Sequence, residues 1–320
     1  MIVQGDPNFR EYLEAKFFVD GESLNRRTYT AFVTLLSRME NPFLLDVGTG
    51  TASMIRRVIE SSPSPRMVLY GVDANRDLLD AGRRQVAELF DDHDFAIKSG
   101  DQITTATKGD QVIEVHLVAG DLFDPKLQSS LRKLPFNVVT THAYMGGVPL
   151  EPALALFGEI LPKGGLFYST INYDGTTELL PFFDDRGFEQ ELLEVYNRSM
   201  DGDKTVRRRV EGPPSKNGNG STTGGSRTGS VLYDRVARSG FSVSGFGSSD
   251  WTVFPWHGRY SSQEEIFLNT LLLTMYEEGL RHPHLDRYTL STWYAERSQS
   301  VEERKLSLIT HQTDILAVRA

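Results

Sequence analysis

A chain of 320 residues with 39% hydrophobic and 10% aromatic side chains has apolar mass for one large α/β domain with insertions, or for two modest domains. Its 43 acidic against 34 basic residues, a formal charge of -9, argue against a nucleic-acid partner, which more often meets a basic excess. The absence of cysteine excludes disulfides, thiolate zinc sites and cysteine nucleophiles, and fits a cytoplasmic location.

At the N-terminus, Met1–Phe18 has no basic segment leading into an apolar stretch and does not read as a signal peptide. The longest apolar runs are too short for a bilayer, so no membrane partner is expected. From Phe9 to Glu40 apolar residues recur at three- and four-residue intervals, which predicts an N-terminal helical cap over residues 1–40. Phe43–Val47 then reads as a first strand, running into a glycine loop and a helical stretch, Ser53–Ser61. Met67–Val72 is a second strand closing on Asp73, followed by helical spacing over Asn75–Phe90. The polar, irregular stretch Asp91–Gly109 predicts a long loop.

Val112–Val118, Phe136–Thr141 and Gly165–Ile171 read as the third, fourth and fifth strands. Helical segments Pro125–Arg132 and Pro149–Leu161 precede the last two. Strands alternating with helices over 41–175 predict a parallel sheet with helices on both faces. Residues 176–230 read as a helical and flexible insertion. Within it Gly212–Ser230 has almost no apolar side chain to bury and predicts a disordered or mobile surface loop rather than an ordered lid. Its GGSRTG portion lacks the preceding strand and the lysine of a phosphate-binding loop, and Arg207-Arg208-Arg209 reads as a solvated charge run. Val231–Ser239 is a helix, Phe241–Phe254 a β-rich segment, Glu264–Leu280 and Asp286–Glu303 helices, and Ser307–Ala317 a last strand.

The chemistry centres on Leu44–Ser53, LLDVGTGTAS. Gly48 and Gly50 let a strand turn sharply into a helix and bring backbone close to a ligand, while the helix offers unpaired N–H groups. Asp73 ends the next strand, where a carboxylate can accept two ribose hydroxyls. Asp121, in Ala119-Gly120-Asp121-Leu122-Phe123, follows the third strand, and Gly164-Gly165 turns a helix into the fifth. Together, in this order, these features resemble the class I S-adenosylmethionine-dependent methyltransferases over Asn41–Tyr173.

The resemblance implies a Rossmann-like α/β fold. Its sheet would have seven mostly parallel strands with the last antiparallel, sandwiched by helices, and a helical insertion at 255–305 before that last strand. It implies that Asp46, Gly48, Thr49 and Gly50 meet the methionine end of the cofactor, Asp73 and Ala74 the ribose, and Asp121 and Leu122 the adenine. Ala52 departs from the family, which often has a third glycine there. His142 would line the passage between cofactor and acceptor, and S-adenosylhomocysteine would be the product.

The acceptor is less defined. Thr140–Met145 lacks the Asn/Asp-Pro-Pro-Tyr sequence of enzymes that methylate bases in nucleic acids, which with the acidic charge favours a small-molecule acceptor. His142 is the candidate base by its near-neutral pKa, against a role confined to cofactor contact or helix capping. Tyr144 and Tyr173 are further catalytic candidates. Phe17, Phe18, Arg26 and Arg27 are candidate substrate contacts from the cap. Trp256 and His257 are others, in an aromatic cluster with Trp251, Phe254 and Tyr260 that could equally pack the insertion. His282 and His284 lack a third ligand, so no metal is expected. Protein methylation, a nicotinamide oxidoreductase and a noncatalytic binding protein stay open as alternatives, as does a homodimer.

Overall fold

Phe43–Val47 (β1) is apolar but for Asp46 and almost wholly buried, as a strand at the centre of a parallel sheet must be. In the computed structural model, which describes residues 7–61, 64–201 and 223–320, β1 lies between β2 (Arg66–Asp73) and β6 (Val138–His142) and is parallel to both. The sheet extends from β2 through β5 (Gln111–Ala119), β4 (Ile103–Lys108) and β3 (Ala96–Ser99). On the other side it extends from β6 through β7 (Leu166–Leu180), β10 (Ser307–Arg319) and β8 (Phe241–Ser248), with the short β9 (Trp251–Val253) also on β10. β10 is antiparallel to both β7 and β8.

The described sheet therefore has ten strands, not seven. The seven expected ones are β1, β2, β5, β6, β7, β8 and β10; the additions are β3, β4 and β9. β3 and β4 form an antiparallel hairpin inside the expected Asp91–Gly109 loop. Its strands are short, mostly polar and at the sheet edge, where pairing rather than burial makes a strand, so hydrophobic periodicity gives no sign of them. β7 also runs nine residues further than Ile171, because the corresponding half of β10 pairs with it as far as Leu180.

Alternation along the central strands divides the apolar residues between two faces. Leu44, Val138, Leu166, Tyr168 and Leu316 face one core, with α2 (Arg26–Leu36), α3 (Ser53–Ser61) and α4 (Arg76–Asp92) over them. Leu45, Val139, Phe167, Ile315 and Ala317 face another, under α5 (Pro125–Leu131), α6 (Leu150–Ile160) and α8 (Thr228–Arg238). A third cluster lies around the far ends of β7 and β10. It joins α1 (Pro7–Ser23), α7 (Arg186–Met200), α9 (Ser262–Arg281) and α10 (Arg287–Glu302). Cap and helical insertion thus pack together over one end of the sheet. Buried Glu189 on α7 fastens α10 there, accepting from Trp293 Nε1 at 2.8 Å and Arg297 Nε at 2.9 Å.

Of the expected mobile loop, residues 212–222 lie outside the described residues, as does the arginine run 207–209. The remainder, 223–230, is largely in regular structure. Thr223 pairs with Pro149, Gly225–Arg227 makes one 3-10 turn, and Thr228–Ser230 opens α8. Side chains outside the segment supply the bonds it cannot make itself: Asp201 accepts from Ser226 N at 2.7 Å and Asp174 from Ser230 N at 3.0 Å. Among the described residues no helix is long and apolar enough to cross a membrane.

Candidate functional site

The strand order reverses between β1 and β6, and the C-terminal ends of the strands on either side of such a switch form the crevice in which open α/β sheets bind ligands. The glycine loop opens there. Gly48 and Gly50 have φ of +69° and +53°, the left-handed region where a side chain is strained. Gly48 N–H and Thr49 N–H both donate to Val72 O, which holds the loop against the end of β2. Asp73 finishes that tie: its Oδ2 accepts from Gly50 N at 2.9 Å and its Oδ1 from Asn75 N at 2.8 Å. Neighbouring Ala74 is exposed. Gly120 N–H donates to Asp73 O, which brings Asp121 alongside. Asp121 is exposed, with Oδ1 accepting from Phe123 N, while Leu122 is buried beneath it.

Asp46 has a different place from the one the resemblance implies. It is 1% exposed, and its oxygens accept from Thr49 Oγ1 at 2.6 Å and Thr140 Oγ1 at 2.7 Å. It braces the loop from beneath instead of presenting a free carboxylate. Ala52 takes φ +61° while fully buried, so alanine at the third glycine position carries a conformational cost of about 1–2 kcal/mol in addition to its packing.

Do these residues fit the cofactor? A Cβ built on Gly50 would meet nothing within 4 Å, so open space stands over that Cα, with Asp73 bonded beside it. A Cβ on Gly48 would meet the Tyr144 ring at 2.0 Å. Tyr144 lies across the loop, with burial and the carboxylates of Asp121 and Asp73 pushing its phenol well above the ordinary range. The residues suit an adenosine-bearing ligand, and one bound against Gly48 would have to displace the Tyr144 ring.

His142 sits at the end of β6 with both ring nitrogens engaged. Nε2 is 2.8 Å from Asp20 Oδ2 and Nδ1 is 2.7 Å from Thr170 Oγ1. Burial would raise the Asp20 carboxyl, but Lys16 and His142 outweigh it and hold it below the usual carboxylate range. An ionised Asp20 only accepts, so Nε2 carries the proton; burial keeps the ring neutral, and Nδ1 accepts from Thr170. The one basic lone pair thus faces the Thr170 hydroxyl. Asp20 also accepts from Trp251 Nε1 at 2.8 Å and pairs with Lys16 at 2.5 Å, so it joins α1, β6 and β9.

Beside this cluster lies a cavity of about 240 Å³. Ala143 and Ile171 line it, both non-glycine residues at φ of +50° and +55°, and backbone strain of this kind collects at functional sites. Tyr173 lines it too, from within β7 rather than after it. Its hydroxyl donates to Asn197 Oδ1 at 2.8 Å, and burial pushes its pKa up.

The predicted substrate contacts lie elsewhere; none of the six lines the cavity. Phe17 is packed between the guanidinium groups of Arg56 and Arg57, at 4.0 and 4.1 Å from the ring centre. Phe18 is 40% exposed, and Arg26 and Arg27 are exposed at the start of α2. Trp256 is 66% exposed in a turn with His257. Of that aromatic group only Trp251 reaches the cavity. The sequence reading missed Thr310 and Gln312, which line the cavity on β10 beside Thr177 and Tyr173 of β7. A polar run, Thr310–Asp314, inside an otherwise apolar strand was the available signal.

A scan against protein-family models finds none that matches, and a search of curated proteins finds no match. Among solved structures the chain aligns with the YcgJ protein of Bacillus subtilis at a TM-score of 0.46 and 10% identity, over 92% of this chain and 99% of that one. It aligns with a SAM-dependent methyltransferase of Thiobacillus denitrificans, solved with S-adenosyl-L-homocysteine, at 0.43 and 11%, over 93% of each chain. A third is geranyl diphosphate C-methyltransferase of Streptomyces coelicolor A3(2), at 0.40 and 12%, over 92% and 79%.

Two buried carboxyls near the site give it a pH signature. Burial pushes Asp46 up to about 6 despite its two hydroxyl donors. It does the same to Asp314, which holds the bulge at Ile171 N and the start of α2 at Asn25 N, both at 2.8 Å. A carboxyl raised in the folded state stabilises the fold most below its unfolded pKa, and that contribution is lost as pH rises through about 6. Each shift of about two units corresponds to about 3 kcal/mol. In urea unfolding, the stability of the wild type relative to Asp314→Asn is expected to fall by up to about 3 kcal/mol between roughly pH 4 and 7. Parallel pH profiles would remove Asp314 as the titrating group.

Proposed function

We propose that the chain is an S-adenosylmethionine-dependent methyltransferase acting on a small molecule. The observation that carries this is the position of β10, antiparallel between β7 and β8, in a sheet whose glycine turn and Asp73 meet at the switch point. A nicotinamide-binding fold of the usual kind continues with a parallel sixth strand and inserts nothing there. The neighbouring cavity favours a small acceptor over a polypeptide.

When bound, the cofactor would supply an electrophilic methyl group. Gly50 would meet its methionine end and Asp73 its ribose, with Asp121 at the adenine end. The chain's own contribution is position. Among the described residues lining the cavity there is no carboxylate, histidine or amine, so the walls orient the acceptor and exclude water but take no proton from it. The fitting acceptor is one that attacks without losing a proton first.

The test has two parts. Calorimetry is expected to show S-adenosylhomocysteine binding and no heat with NAD(P). Incubation with methyl-labelled cofactor and a metabolite extract is expected to place label in small molecules. Label in polypeptides would favour protein methylation, and binding without any transfer would mark a noncatalytic protein.

A further inference from the structure

Several polar side chains of the lining are bonded within the protein. Asn172 accepts from Ser169 Oγ and donates to Thr313 O, both at 2.9 Å. Tyr173 bonds Thr177 and Asn197, and Thr228 Oγ1 donates to Gly225 O at 2.6 Å. Thr310 Oγ1 and Gln312 Nε2 have no partner among the described residues, although their residues are only 4% and 1% exposed. Both stand on β10 and both line the cavity. A buried donor without a partner costs about 1–3 kcal/mol, so a small side-chain rotation that turns these two toward the cavity would let a ligand oxygen complete their bonding.

The rest of the lining sets the ligand's character. Ile171, Met200, Trp251 and Leu271 supply an apolar surface, and Tyr196 is kept neutral by burial. No charged side chain is among the described residues of the lining. A phosphate, carboxylate or ammonium buried here would lack a counter-charge, at a cost that a neutral group avoids. The volume, about 240 Å³, falls just under the span of drug-sized ligands and asks for a compact molecule.

We infer that this cavity binds a neutral, largely apolar molecule through one carbonyl or hydroxyl oxygen that Gln312 and Thr310 hydrogen-bond. Naming that molecule the methyl acceptor rests on the reading above; the binding itself does not. Gln312 and Thr310 are specificity-determining residues, rejecting both the hydrocarbon that leaves them unpaired and the anion that the walls cannot neutralise.

Three matched probes test this in ligand-observed NMR titrations of the full chain: acetophenone, ethylbenzene and benzoate. Acetophenone is expected to bind about tenfold tighter than either of the others, since a site built to hydrogen-bond an oxygen discriminates against analogues lacking it. Gln312→Leu is expected to erase the preference over ethylbenzene. Thr310→Val, which removes the other group at nearly constant volume, is expected to reduce it and serves if the first variant does not fold. Equal binding of the three, tightest binding of benzoate, a preference unchanged in both variants, or no binding of any probe overturns the inference. S-adenosylhomocysteine calorimetry on the same samples keeps the two readings apart. If it binds while the probe preference fails, only the acceptor class falls. If the preference holds without it, the methyl-transfer reading falls and the neutral-oxygen site stands.

Discussion

Asp20→Ala is expected to destabilise the chain by about 3–5 kcal/mol in urea or thermal unfolding, the loss typical of breaking a buried charged pair from one side. Asp20 is 2% exposed and satisfies three donors on three elements: Lys16 on α1, His142 at the end of β6 and Trp251 on β9. Removing it leaves a mostly buried ammonium without its carboxylate, and an imidazole and an indole N–H without an acceptor. Nothing in the apolar surroundings replaces those bonds. Asp20→Asn keeps the shape and one acceptor oxygen but not the charge, so it should fall between wild type and Asp20→Ala. A double-mutant cycle with His142→Ala isolates the coupling between the two residues. If Asp20→Ala unfolds within about 1 kcal/mol of wild type, the cluster does not hold the cap.

This cluster also shows what a sequence does and does not disclose. β1, β6 and the first half of β7 were legible as short runs buried on both faces, and β2 and β5 as strands whose every second residue is apolar and buried. The loop Gly48–Gly50, Asp73 and Asp121 were legible because each ends a strand at a position where backbone geometry or charge needs that residue type. Asp20 was not. Four residues after Lys16 on a helix, it reads as half of a solvated ion pair, and only contact with β6 and β9, far along the chain, buries it. Glu189 was hidden for the same reason, since its partners Trp293 and Arg297 are more than a hundred positions away. The aromatic group at Trp251–Tyr260 shows the converse: residues adjacent in sequence separate in space, Trp251 reaching the cavity and Trp256 the solvent. Density of aromatic residues predicts packing somewhere. It does not say on which side.

Asp73→Ala is expected to weaken S-adenosylhomocysteine binding by roughly a hundredfold, about 3 kcal/mol, as measured by calorimetry. Two losses add. The carboxylate is the acceptor placed to receive ribose hydroxyls at the end of β2, and it also holds the glycine turn through Gly50 N and the start of α4 through Asn75 N. Asp73→Asn keeps one oxygen for Gly50 N, so it should preserve more of the fold than of the affinity. The acetophenone titration supplies the control. Asp73 is not in the cavity wall, so the probe's affinity in Asp73→Ala should match that of the wild type. Loss of both affinities together would mean that the variant has lost its fold. Loss of the nucleoside alone would place Asp73 in the cofactor site, and an affinity within about threefold of wild type would remove it from there.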